Sequence, residues 1–107
     1  MPSGYALTVR FTTRDADAAQ RFDALVERTL EGIRNEPGTL VYVVHKPEDE
    51  PLVRVFYELY ADRAAFEAHE EQEHTKQMLA ERDQYLASTE VEFLHEMTGK
   101  RPAREAT

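Results

Sequence analysis

The chain has 107 residues, a net charge of −8 from 21 acidic and 13 basic side chains, and neither cysteine nor tryptophan. A length in this range makes one domain, which buries roughly two-thirds of its unfolded surface and can hold a core without covalent staples. The negative charge repels phosphate backbones, and the lack of cysteine excludes disulfides, thiolate metal sites and cysteine nucleophiles.

Met1-Pro2-Ser3-Gly4 has neither the basic nor the apolar region of a signal peptide, and no stretch approaches the ~18 apolar residues of a membrane span. The expected setting is the cytoplasm, with no membrane and no nucleic acid as partner. Tyr5 to Phe11 alternates Tyr5, Leu7, Val9 and Phe11 against Ala6, Thr8 and Arg10, which is the period of a strand. Thr12 and Thr13 offer an N-cap, with Asp15 and Asp17 in the first turn of the helix that follows. Phe22, Leu25, Val26, Leu30 and Ile33 form its apolar stripe, and Pro37-Gly38 makes the turn beyond it.

Thr39 to His45 and Leu52 to Tyr60 read as two strands joined through a polar loop bounded by Pro47 and Pro51, which suggests a hairpin. Asp62 can cap a short helix running to His69. Thr75 to Leu86 reads as a further helix, with Met78, Leu79, Arg82, Tyr85 and Leu86 on one side. Ser88 to Met97 alternates again and supplies a last strand. The order β-α-β-β-α-β predicts an α+β, ferredoxin-like fold with an antiparallel sheet, one domain over residues 1–98 and a polar, mobile tail over 99–107. Strands two and three are apolar on both faces. Helices can cover one face only, so a homodimer is the expected cover for the other.

The chemistry concentrates between Arg54 and His74. Glu58 stands in an apolar strand, sharing a face with Arg54, Phe56 and Tyr60, and needs a partner, for which Arg54 and His69 are the candidates. It could orient a histidine as the acid of a triad does. His69 and His74 are candidate bases, because imidazole titrates near neutrality. Five residues separate them, so on one continuous helix their rings would point ~140° apart. They converge only if the helix breaks near Glu71-Gln72. No third ligand is evident beside them, and no metal is expected. His45 and His95 read as structural. The phenols of Tyr42, Tyr57 and Tyr60 could line an apolar pocket that needs a polar handle. There is no glycine-rich phosphate loop and no nucleophile elbow.

Glu36-Pro37-Gly38-Thr39-Leu40-Val41-Tyr42, Phe56-Tyr57-Glu58-Leu59-Tyr60, and then Asp62, Phe66, His69 and His74 occur in an order and spacing that resemble the antibiotic biosynthesis monooxygenase (ABM) domain family. The resemblance runs from about Tyr5 to Met97. It implies a dimeric α+β barrel, two ferredoxin-like chains packed sheet to sheet, with a pocket between each sheet and its helices. Some members oxygenate quinols or anthrones with O₂ and no flavin, metal or haem, the deprotonated substrate supplying the electrons. On that basis no cofactor is expected, and the partners are a small aromatic substrate and O₂. His74, His69 and Glu58 are then the candidate catalytic groups. Tyr42, Tyr57, Tyr60, Arg54 and Phe66 are the candidate substrate contacts. Haem-degrading relatives use a tryptophan that this chain lacks. The stretch from Tyr57 to His74 is also similar to an isomerase of a phosphorylated hydroxyketone. A non-catalytic dimeric ligand-binding domain is the third reading. An empty cavity of ~300 Å³ or more beside His69 and His74 would favour catalysis over that last alternative.

Overall fold

The computed structural model describes residues 4–101. The reading of Met1 to Ser3 and the part of the polar tail from 102 to 107 lie outside the described residues. Strand β1 (Tyr5–Thr13) leads into helix α1 (Ala16–Ile33), followed by β2 (Thr39–His45) and β3 (Val53–Tyr60). Helices α2 (Arg63–Glu70) and α3 (Glu73–Glu81) come next, then one 3₁₀ turn (Arg82–Tyr85) and β4 (Leu86–His95). The sheet is antiparallel throughout, in the order β2-β3-β1-β4. This is the ferredoxin-like α+β arrangement, with the second helical region in two pieces. Among the described residues no helix is long and apolar enough to cross a membrane.

Alternation decides what faces the helices. Leu7, Val9 and Phe11 of β1 point to the helical side with Phe56 and Tyr60 of β3, and there they meet Phe22, Leu25 and Val26 of α1. The rings of Phe11, Phe22 and Phe56 lie with centroids 5.0 to 6.0 Å apart, close enough for edge-to-face packing to add to their burial. Val43, on the opposite face of β2, is 43% exposed. Helices cover one face only, so the far face of the β2–β3 hairpin is covered by nothing among the described residues.

Three local expectations change. Thr13 belongs to β1, and α1 is capped by Asp15, whose carboxylate accepts from the Ala18 amide at 2.8 Å. A carboxylate satisfies a free helix N–H as well as a hydroxyl does and also complements the dipole. The last helix ends at Glu81 instead of Leu86. Leu86 starts β4, and the 3₁₀ turn between them tightens the connection. Met97 falls beyond β4, where it is exposed. Of the polar tail, Arg101 folds back to pair with Glu96, its Nε donating at 2.8 Å.

Candidate functional site

Between sheet and helices lies a cavity of about 160 Å³, walled by Phe11, Tyr42, Phe56 and Phe66, with Glu58, His69, Glu70 and Arg82 as its charged or ionisable groups besides Tyr42. Val91 and Phe93 of β4 line its open side and are about half exposed. The volume is half of what the sequence reading set as a mark of catalysis, and the cavity adjoins His69 but not His74.

His69 reaches the cavity from the end of α2. Asp62 caps that helix by accepting from the Ala65 amide at 2.8 Å, and Gln72, extended at φ −69 and ψ 144, ends it. A new helix starts at Glu73, so the break between the two histidines is real and their rings converge. They converge on Glu36 instead of Glu58. His69 Nδ1 lies 2.8 Å from Glu36 Oε1, and His74 Nε2 meets Glu36 Oε2. The Thr39 hydroxyl also donates to Oε1, at 2.6 Å. The Glu36 side chain is 8% exposed. Burial raises its pKa, yet the donors Thr39, His74 and His69 together hold it below the ordinary carboxylate range. An ionised carboxylate can only accept, so both imidazoles donate to it. Neutral His69 therefore carries its proton on Nδ1 and has its lone pair on Nε2.

Gly32 explains how His74 fits. It sits one residue before the end of α1, and a Cβ there would collide with the His74 ring. Helical glycine costs roughly 1 kcal/mol against alanine, and here the missing side chain is the seat of an imidazole. Gly38 does the same for chain passage: a Cβ would lie 2.6 Å from that of Ala65.

Glu58 has a different partner from the ones its sequence suggested. The Tyr60 hydroxyl donates to it at 2.6 Å, whereas Arg54 is engaged by Asp23 at 2.8 and 3.0 Å and by two backbone carbonyls. Burial pushes the Glu58 carboxyl up to about 7, against the Tyr60 hydrogen bond, and the nearby negative charge of Glu70 adds to the rise. Burial likewise raises Tyr42 and Tyr60, with the Glu58 charge contributing to both.

Of the eight residues singled out in the sequence, Glu58, His69, Tyr42 and Phe66 line the cavity. Tyr60 is fully buried behind Glu58. His74 lies on the far side of Glu36. Arg54 opens onto a separate cleft beside Asp23. Tyr57 pairs with Thr8 and Val43 on the opposite face of the sheet, because strand residues next to each other point opposite ways. Two polar groups of the site, Glu36 and Arg82, carry no local sequence signal of their place in it. Glu36 was in view only as part of a turn motif, and nothing local announces a partner 33 and 38 residues away. Arg82 stacks its guanidinium over Phe11 at 5.3 Å, and its Nε is buried without a hydrogen-bond partner among the described residues. An isolated glycine near the end of an amphipathic helix was the one available signal of a close approach, at Gly32.

A search of curated proteins gave no match. Among solved structures the chain is similar to Rv0793 from Mycobacterium tuberculosis, with 26% identity, a TM-score of 0.79, and 98% of this chain and 100% of that one covered. SO0527 from Shewanella oneidensis superimposes with a TM-score of 0.82 at 21% identity, over 90% of this chain and 93% of that one. A protein described as an antibiotic biosynthesis monooxygenase gives 0.78 at 21% identity, over 88% and 99%. The family profile for antibiotic biosynthesis monooxygenase matches residues 5–81. With the sheet order, the cavity and this match in agreement, the chain belongs to the antibiotic biosynthesis monooxygenase family.

Proposed function

We propose that the protein is a cofactor-independent monooxygenase that deprotonates a small phenolic substrate and lets the resulting anion react with O₂. The observation that carries this reading is the fixed ring of His69, which lines the cavity while its Nδ1 is held by the buried carboxylate of Glu36. That arrangement leaves Nε2 as the base and stabilises the imidazolium that forms, as an orienting carboxylate does in a triad. In this reading Glu36 has the role that the sequence suggested for Glu58.

Arg82 supplies the counter-charge. Its buried Nε has no acceptor among the described residues, and a phenolate oxygen would satisfy it. Glu58, with a pKa of about 7, is a carboxylic acid over the lower half of the physiological range and can donate to a second oxygen. The overall change balances without a cofactor: a quinol with a free ring position beside a hydroxyl and O₂ give a hydroxy-p-quinone and water. One oxygen atom enters the ring, the other leaves as water, and the substrate supplies all four electrons. A void of about 150 Å³ takes a benzene ring. The 160 Å³ here therefore favours a single-ring quinol over a three-ring anthrone.

A second copy of the chain belongs to this proposal. Val43 and the half-buried Val55 and Tyr57 leave the far face of the hairpin open, and a two-fold partner would cover it. Light scattering on the purified protein should give twice the chain mass.

The reaction is tested with an oxygen electrode and hydroquinone. Uptake by the wild type that is lost in His69→Ala supports the reading. No uptake, with solvent deuterium still entering an enolisable hydroxyketone under nitrogen, would replace oxygenation with isomerisation. Equal rates for wild type and His69→Ala in both assays would leave only ligand binding.

A further inference from the structure

The Glu36 clamp is more than a support for one base. Its carboxylate is buried, and among the described residues no lysine or arginine pairs with it, only the two imidazoles. Buried charges are paired or bound to metals, because an isolated carboxylate is costly away from water. One ligating atom from each of Glu36, His69 and His74 falls within 4.8 Å of the others. Metal–ligand distances of about 2.0 to 2.2 Å can be reached from such a cluster by small side-chain rotations. The three groups come from the turn after α1, the end of α2 and the start of α3, so they surround a point as a helical His pair cannot. The Thr39 hydroxyl on Glu36 Oε1 fixes the carboxylate from outside, as the outer hydrogen bonds of metal sites do. A second cavity of about 160 Å³, lined by Asn35, Gly38, Ala68 and Gln72, touches both Glu36 and His69, has His69 alone in common with the first cavity among the described residues, and gives an ion a way in.

We infer that Glu36, His69 and His74 form a binding site for a divalent transition-metal cation of the Zn²⁺ class. Two nitrogens and one oxygen suit borderline cations and select against Mg²⁺ and Ca²⁺, which take oxygen ligands. A cation on His69 Nδ1 moves the ring proton to Nε2, so the metal-bound form has no base facing the cavity. The same three side chains thus have two exclusive occupants, hydrogen-bonding protons or a metal, and the metal-bound state is catalytically silent. Binding itself does not depend on the reaction proposed above, and it is read without any substrate.

The test uses the full chain, freed of metal with a chelator, and Co²⁺ and Zn²⁺ as probes. One equivalent of Co²⁺ should give visible ligand-field bands that Zn²⁺ abolishes. In ¹⁵N spectra Zn²⁺ should shift the ring nitrogens of two of the four histidines. His74→Ala and Glu36→Gln should each weaken binding by more than about tenfold, since even outer-shell changes cost that much. His95→Ala should leave it unchanged. Absence of stoichiometric binding to the wild type overturns the inference, and so does binding that survives both substitutions. The ¹⁵N reading needs no variant, so a variant that fails to fold does not shield the inference.

Discussion

Glu36 and Glu58 are both buried carboxylates beside the His69–Tyr60 ring pair, and they are held in opposite states. Glu36 accepts from Thr39, His69 and His74 and is kept ionised. Glu58, among the described residues, accepts from Tyr60 alone, and burial, helped by the charge of Glu70, pushes it up to about 7. Burial acts on both in the same direction, so the number of donors aimed at each oxygen decides the outcome. Behind His69 the fold thus holds a fixed anion, and in the cavity wall a carboxyl that can still carry a proton.

The sharpest way to break this contrast is to remove the base and its anion. His69→Ala should cut oxygen uptake by about 10²- to 10⁴-fold, the usual range for a lost acid–base group. Glu36→Gln should follow it, with a pH profile displaced because the ring is no longer fixed in one tautomer. The same loss in Glu58→Gln as in Glu36→Gln would erase the distinction between them.

Next in size is stability against pH. The folded pKa of Glu58 is about 7 against an ordinary 4.5, so the native state holds this proton more tightly than the unfolded chain. Its contribution is complete below pH 4.5 and is lost as pH rises through 7. Glu58→Gln cannot ionise, and at pH 8 it should be more stable than the wild type by roughly 3 kcal/mol in urea melts. Glu36 has the opposite sign: its contribution is present above the ordinary carboxylate pKa and is lost as pH falls through its lowered one. Glu36→Gln should therefore remove part of the acid-side decline and none of the neutral-pH decline.

A smaller effect separates helix propensity from the seat of His74. Gly32→Ala should destabilise, because its methyl displaces the ring. In a His74→Ala background the same change should stabilise by about 1 kcal/mol, the helix gain of alanine over glycine. Equal effects in both backgrounds would mean that Gly32 does not make room for the imidazole. Smallest of all, Arg10→Ala, which breaks an exposed contact with Glu50, should leave the melting temperature unchanged.

Much of the fold was legible because strand and helix periods are local. The alternation from Tyr5, the stripe from Phe22 to Ile33, and the cap at Asp62 each depend on residues a few positions apart. The limits of β2 agree at both ends, Thr39 and His45. Boundaries shifted where Thr13, a cap candidate, extends β1 instead and the cap passes to Asp15, expected in the first turn, and where the tight turn after Glu81 continues a helical pattern.

The candidate site was legible by residue type and not by partner. Sequence alone put Glu58, His69, Tyr42 and Phe66 on neighbouring elements, because their strand or helix position follows from period. It also showed that His69 and His74 cannot meet on one unbroken helix. Which carboxylate they would meet depended on the path of the chain. The extended backbone at Gln72 turns the second ring back, and the missing Cβ of Gly32 admits it against α1. The crossing of α1 over the sheet brings Glu36 between them. Electrostatic partnership acts through space over a few ångströms, and only tertiary packing determines which distant residues come that close.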